Sequence, residues 1–156
     1  MKILNKLIFF FIENLYISRS KHFSKKWQRN LPFSEMLINR WSKAKYLKFG
    51  EGSSIFDNSI VIGDVKVGNN TWIGPFTILD GSGGLEIGNF CSISAGVHIY
   101  SHNSVNWAIG GGTEPSVKKK VKIGSRVYIG PNAVISMGVS IGDKCIIGAN
   151  SFVNKD

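Results

Sequence analysis

Apolar residues return at every sixth position along most of this 156-residue chain. Rows opening at Phe49, Ile55, Val61, Val67, Ile73 and Leu79 follow without a gap, and after two extra residues the frame resumes at Ile87, Ile93 and Ile99. A second block opens at Ile123, Ile129, Ile135, Ile141, Ile147 and Val153. All fifteen openings are apolar, Gly stands second in eight, and in the second block the fifth residue, where present, is Val, Ala, Cys or Ser. Self-similarity at a short fixed period marks a repeat architecture. Period six matches neither an α-helix nor an alternating hairpin sheet, and the turn signals of a sandwich are missing. Each row reads as a short strand and a corner: the first residue is a large inward plug, the fifth a small one, and at the second Gly avoids a Cβ clash. Three rows close a triangular coil of about 18 residues, and coils stack as parallel strands roughly 4.8 Å apart.

The frame lapses in three places. Residues 1–17 place Ile3, Leu4, Leu7, Ile8, Phe11, Ile12 and Leu15 at helical spacing. A second helix is predicted from Pro32 or Phe33 to about Lys48, with Leu37, Trp41 and Ala44 on its inner face, capping the open end of the column. Gly81-Ser82-Gly83-Gly84 slips the register by two residues and reads as a small corner loop. Residues 103–120 abandon the pattern and read as an excursion leaving the column and returning by Val121; a loop that long without structure of its own is usually functional or disordered. The expected organisation is a basic, amphipathic, helical segment over 1–48 and the repeat column over 49–156.

Charge sharpens that division. Of a net +9, residues 1–50 hold eleven Lys and Arg against Glu13 and Glu35, whereas residues 51–156 are balanced at eight of each sign. Residues 1–30 interleave bases with Tyr16, Phe23 and Trp27, which suits either a plug on the first coil or contact with an anionic membrane. No nucleic-acid-binding motif accompanies the basic arm. Cys91 and Cys145 take fifth positions and read as buried free thiols in a reducing, cytoplasmic setting. The longest apolar run, Leu7 to Ile12, is far short of a membrane span, and no cleavage site for a signal peptide follows it.

Candidate chemistry centres on histidine. His22 lies in the basic arm without a partner, His98 points outward at a corner, and His102 stands where the long excursion leaves the column. An imidazole can accept the proton of a hydroxyl that would otherwise be a poor nucleophile at neutral pH.

The rows, together with Ala95-Gly96-Val97-His98-Ile99-Tyr100-Ser101-His102, resemble the hexapeptide-repeat acyltransferases, nearest to the maltose, galactoside and polysaccharide O-acetyltransferases. The resemblance covers residues 49–156 and implies an all-β, left-handed parallel β-helix of about five coils with an N-terminal α-helical segment. The hand comes from the family, since parallel crossovers are otherwise right-handed. It further implies acetyl-CoA as co-substrate, no metal, a homotrimer with sites shared between subunits, and His102 as general base. Asp80, in an Ile78-Leu79-Asp80 run, matches a sugar or ring contact. His102-Asn103 replaces the His-Asp of many polysaccharide-type sequences, and Pro75 replaces an Asn of the maltose and galactoside kin. Asn103 and Trp107 are candidate acceptor contacts. Tyr128, Gly130, Pro131, Gly148, Ala149, Asn154 and Lys155 are candidate CoA contacts, with Asn154 in place of a Thr. Family members usually continue beyond this Lys-Asp element; ending at Asp156 leads to an expectation of weak CoA binding or poor solubility.

The expected activity is O-acetylation of a sugar or glycolipid hydroxyl during surface polysaccharide assembly, at or near the inner membrane face. Alternatives are an N-acetyltransferase on an amino sugar, a serine acetyltransferase-like enzyme, and an inactive scaffold. A γ-class carbonic anhydrase would need a third His ligand that the repeats lack.

Overall fold

The computed structural model describes residues 2–156. Its helices are α1 (Lys2–Trp27), α2 (Phe33–Leu37), α3 (Arg40–Tyr46) and, within the excursion, α4 (Val105–Ile109). Before the excursion come strands β1 (Ser54–Ile55), β2 (Ile60–Val67), β3 (Trp72–Ile73), β4 (Ile78–Ile87), β5 (Ser92–Ile93), β6 (His98–Ile99) and β7 (His102–Asn103). After α4 come β8 (Val117–Lys118), β9 (Val121–Ile123), β10 (Tyr128–Ile129), β11 (Val134–Ile135), β12 (Ser140–Ile141), β13 (Ile146–Ile147) and β14 (Phe152–Val153). The chain forms two compact units, 1–39 and 40–156.

The second unit is a left-handed parallel β-helix of about five coils. One sheet runs β1-β3-β5-β10-β13; a second, wrapping the other two sides, runs β12-β9-β4-β6-β11-β14 with β2 on β4. All fifteen row openings lie in the hydrophobic core or pack against it, and Ile55, Ile73, Ile93 and Ile129 stack in register along one side. Polar fifth residues are accommodated because they bond the next coil: Ser53 Oγ donates to Gly68 O at 2.7 Å and Thr71 Oγ1 to Gly88 O at 2.9 Å.

A ladder of side chains at one corner records how the coils stack. The Glu51 N–H donates to Asn69 Oδ1, Asn69 N–H to Asn89 Oδ1, Asn89 N–H to Ser125 Oγ and Ser125 N–H to Asp143 Oδ1, at separations of 18, 20, 36 and 18 residues. The step of 20 absorbs Gly81–Gly84, and the step of 36 absorbs the excursion as one coil's worth of chain.

Three expectations need correction. The glycine stretch is no corner loop: β4 runs through it, paired with β2, with the irregularity between Gly63 and Val65. The second helix breaks at Ile38, whose extended backbone (φ −96°, ψ 122°) ends α2, so Leu37 and Trp41 are 45% and 52% exposed and only Ala44 is buried. The two compact units divide at 39/40, and in the second α3 packs on the first coil and Ala44 joins the column's core. The excursion has structure of its own, an antiparallel β7–β8 pair and α4.

Of the two thiols, Cys91 is buried, whereas Cys145 is only partly so, since fewer coils lie beyond it. In the first unit, α1 extends well past the expected residue 17 and buries none of its residues.

Candidate active site

His102 is placed by the junction between column and excursion. Strand β6 ends at Ile99, a buried plug, and the chain then turns out through Ser101 into β7, which pairs with β8 so that His102 faces Lys118. One coil earlier, Asp80 follows the plug Leu79 within β4 and is 0% exposed. Its Oδ2 lies 2.5 Å from His102 Nδ1 and accepts the Ser101 N–H at 3.0 Å, while Oδ1 accepts the Ser82 N–H at 2.9 Å. Burial opposes ionisation of Asp80, but hydrogen bonds from Ser82, His102 and Ser101 outweigh it and lower its pKa from 3.8 to about 2.

That charge fixes the imidazole. An ionised carboxylate only accepts, so Nδ1 carries the proton facing Asp80, and the lone pair of the neutral ring resides on Nε2. The His102 side chain is 37% exposed. The pair therefore presents a proton acceptor, held in one tautomer by a buried charge, to whatever enters beside the excursion.

Asp80 contacts the ring, and its carboxylate is buried. Asn103 holds the excursion: its Oδ1 accepts the Val105 N–H at 3.2 Å and its Nδ2 donates to Met137 Sδ at 3.4 Å. Trp107 lies on α4, half exposed, with Gly112 against its indole. His98 is beside Tyr100, ring nitrogen to hydroxyl 3.3 Å.

The candidate donor residues are on a different stretch of the column. Tyr128 is half exposed in the outward column Trp72, Ser92, Tyr128, Ile146 of the five-stranded sheet. Gly130 turns the next corner, where a Cβ would stand 2.6 Å from the Ala149 backbone nitrogen, so only Gly lets these coils close. Pro131 O accepts the Asn150 N–H at 2.9 Å, which stacks Pro131 and Ala149 along one edge. Gly148, Ala149, Asn154 and Lys155 are exposed on the last coil. Among the described residues, no group of three or more His, Cys, Asp or Glu side chains could hold a metal ion.

A family model described as the hexapeptide repeat of succinyl-transferase matches residues 120–155. Those residues are hexapeptide repeat, and the chain is similar to hexapeptide-repeat acyltransferases in sequence and in fold. Over 139 residues it is 29% identical to the bifunctional protein GlmU of Synechococcus sp. (strain CC9605), covering 70% of this chain and 31% of GlmU. Over 36 residues, 23% of this chain and 18% of the relative, it is 53% identical to the galactoside O-acetyltransferase of Escherichia coli (strain K12). The structure of AntD, an N-acyltransferase from Bacillus cereus in complex with dTDP and 3-hydroxybutyryl-CoA, superposes with a TM-score of 0.62 and 27% identity, covering 69% of this chain and 62% of AntD. The chain spans about a third of the length of the GlmU relative.

Within this column, Ser101, Ser82 and Lys118 are the site residues that sequence reasoning did not single out. Asp80 is the one acid at the second position of a row, a hint that its corner is special. Nothing in the hexapeptide pattern marks the two serines that bind it. Lys118 becomes a neighbour of His102 only because the excursion folds back as a hairpin.

Proposed function

We propose that this protein is an acetyl-CoA-dependent O-acetyltransferase of a sugar hydroxyl, acting in the cytoplasm in the assembly of a surface polysaccharide or glycolipid. The buried Asp80 paired with an accessible His102 carries the reading. His102 Nε2 takes the proton of the acceptor hydroxyl as its oxygen attacks the thioester carbonyl. The tetrahedral adduct then expels the thiolate, which recovers the proton from the imidazolium as the C–S bond breaks. Asp80 stabilises the transient imidazolium and stays ionised throughout. Positioning of two substrates supplies much of the remaining rate.

Tyr128, Gly130, Pro131, Ala149, Asn154 and Lys155 are proposed to line the donor's path, and Trp107 the acceptor's. A homotrimer is favoured by the column's outward surfaces. The register Ile60, Ile78, His98, Val134, Phe152 is largely apolar, with Ile60 and Phe152 well exposed, whereas Lys66, Glu86, Lys122, Ser140 on another side is polar. A closed threefold ring would bury the apolar column.

Acylation of an amino sugar is the second reading, favoured by the likeness to AntD. The test is release of free thiol from acetyl-CoA against a panel of sugars. Sugar-dependent release giving an alkali-labile product supports the ester; an alkali-stable product reassigns the reaction to nitrogen. No sugar-dependent release from a protein that binds CoA would overturn the reading.

A further inference from the structure

We propose that the first unit is a membrane-docking device that binds phosphate-bearing headgroups of an anionic bilayer. The inference is independent of the acyltransferase reading and rests on residues 2–39 alone. Helix α1 buries nothing, and Ile3, Leu4, Leu7, Ile8, Phe11, Ile12 and Leu15 are all exposed. Water is a costly environment for that much apolar surface, at about 25 cal/mol per Å². Yet no helix among the described residues is long and apolar enough to cross a membrane. At 1.5 Å per residue the apolar stretch from Ile3 to Ile17 measures roughly 22 Å, against a hydrocarbon core of about 30 Å.

The helix's azimuth supplies the orientation. Leu4, Leu7, Phe11, Ser18, Lys21 and Lys25 recur at spacings of three, four and seven, so the side that is apolar in the first half is basic in the second. The opposite side carries Lys2, Lys6 and Glu13 together with the exposed Phe9 and Tyr16. A bilayer surface satisfies both halves at once, with acyl chains under the first and headgroups under the second.

The basic half also forms a cavity of about 630 Å³, lined by Ser20, Lys21, Ser24, Lys25 and Arg29 with Tyr16 at its apolar end. Three cations and two hydroxyls suit a phosphodiester, and Tyr16 suits the adjoining glycerol and upper acyl chain. Arg19 and Lys26 are occupied otherwise: Arg19 Nε donates to Met36 O at 2.9 Å and its guanidinium covers Phe23, while Lys26 lies over Trp27. Among the described residues, no ion pair engages Lys21, Lys25 or Arg29. A soluble phosphate would explain the cations but not the apolar half.

The test is flotation of the full chain with vesicles of phosphatidylcholine alone, the same with about a third phosphatidylglycerol, and the latter with added inorganic phosphate. Binding is expected only with the anionic lipid, weakened by salt and unaffected by millimolar phosphate. The Lys21→Gln, Lys25→Gln, Arg29→Gln protein, with an unchanged melting curve, is expected to lose roughly 100-fold in affinity, at about fivefold per base. Equal binding to neutral vesicles, competition by millimolar phosphate, an unaffected triple variant, or self-association through α1 without lipid binding would each overturn the proposal.

Discussion

Replacing Asp80 by Asn isolates the contribution of one buried charge. The side chain keeps its shape but exchanges one accepting oxygen for an NH2 donor. In the wild type Oδ2 faces two N–H donors, the Ser101 N–H at 3.0 Å and His102 Nδ1 at 2.5 Å, and Oδ1 faces the Ser82 N–H at 2.9 Å. An amide cannot satisfy all three. If its NH2 faces His102, the ring must accept at Nδ1 and move its proton to Nε2, which removes the lone pair that acts as base. If it faces Ser82, two donors are opposed in a site with no access to water, at a cost of about 1–3 kcal/mol. Loss of a correctly oriented general base costs about 10²–10⁴-fold, and Asp80→Asn is expected to reduce kcat within that range with little change in KM for acetyl-CoA. Thiol release measures the rate, and nitrogen-15 shifts of His102 report the tautomer. A variant with wild-type kcat and a proton still on Nδ1 would refute the reasoning.

Acid stability is the second consequence. Because folding lowers the Asp80 pKa from 3.8 to about 2, the unfolded chain binds the proton more readily in that interval; the stabilisation is complete above about pH 4 and disappears as pH falls toward 2. The difference amounts to roughly 2 kcal/mol, so urea midpoints of wild type and Asp80→Asn should converge between pH 5 and 2 on the order predicted by linkage; a constant gap would contradict the assignment. In the column's core, Ile129→Ala removes a fully buried plug between Ile93 and Ile147 and should cost about 2–5 kcal/mol in chemical denaturation. A loss below about 0.5 kcal/mol would mean that the stack relaxes around the cavity.

The column was legible because each plug is a local, repeated choice: Ile at the first position and a small residue at the fifth specify the coil wherever they recur. The extra two residues at Gly81–Gly84 were visible as a register slip, but their course was not, because a strand that bulges and a loop that leaves look alike in a glycine run. The single long helix expected after Pro32 failed for a related reason, since helical spacing of Leu37, Trp41 and Ala44 continues across a break that only the extended backbone at Ile38 reveals. Within the site, His102 could be named from its place at the end of the repeats. Its pairing with Asp80 joins residues 22 apart through the stacking of coils, and the burial of Asp80 is not encoded in composition. Lys118 depended on the path of an excursion without any repeat.

Turnover by His102→Ala tests the central claim most directly, namely that one imidazole held by a buried carboxylate is the proton acceptor for acyl transfer. With acetyl-CoA and a sugar acceptor, kcat is expected to drop by about 10²–10⁴-fold while calorimetric CoA affinity stays unchanged. Acceptor-dependent thiol release at the wild-type rate would contradict it.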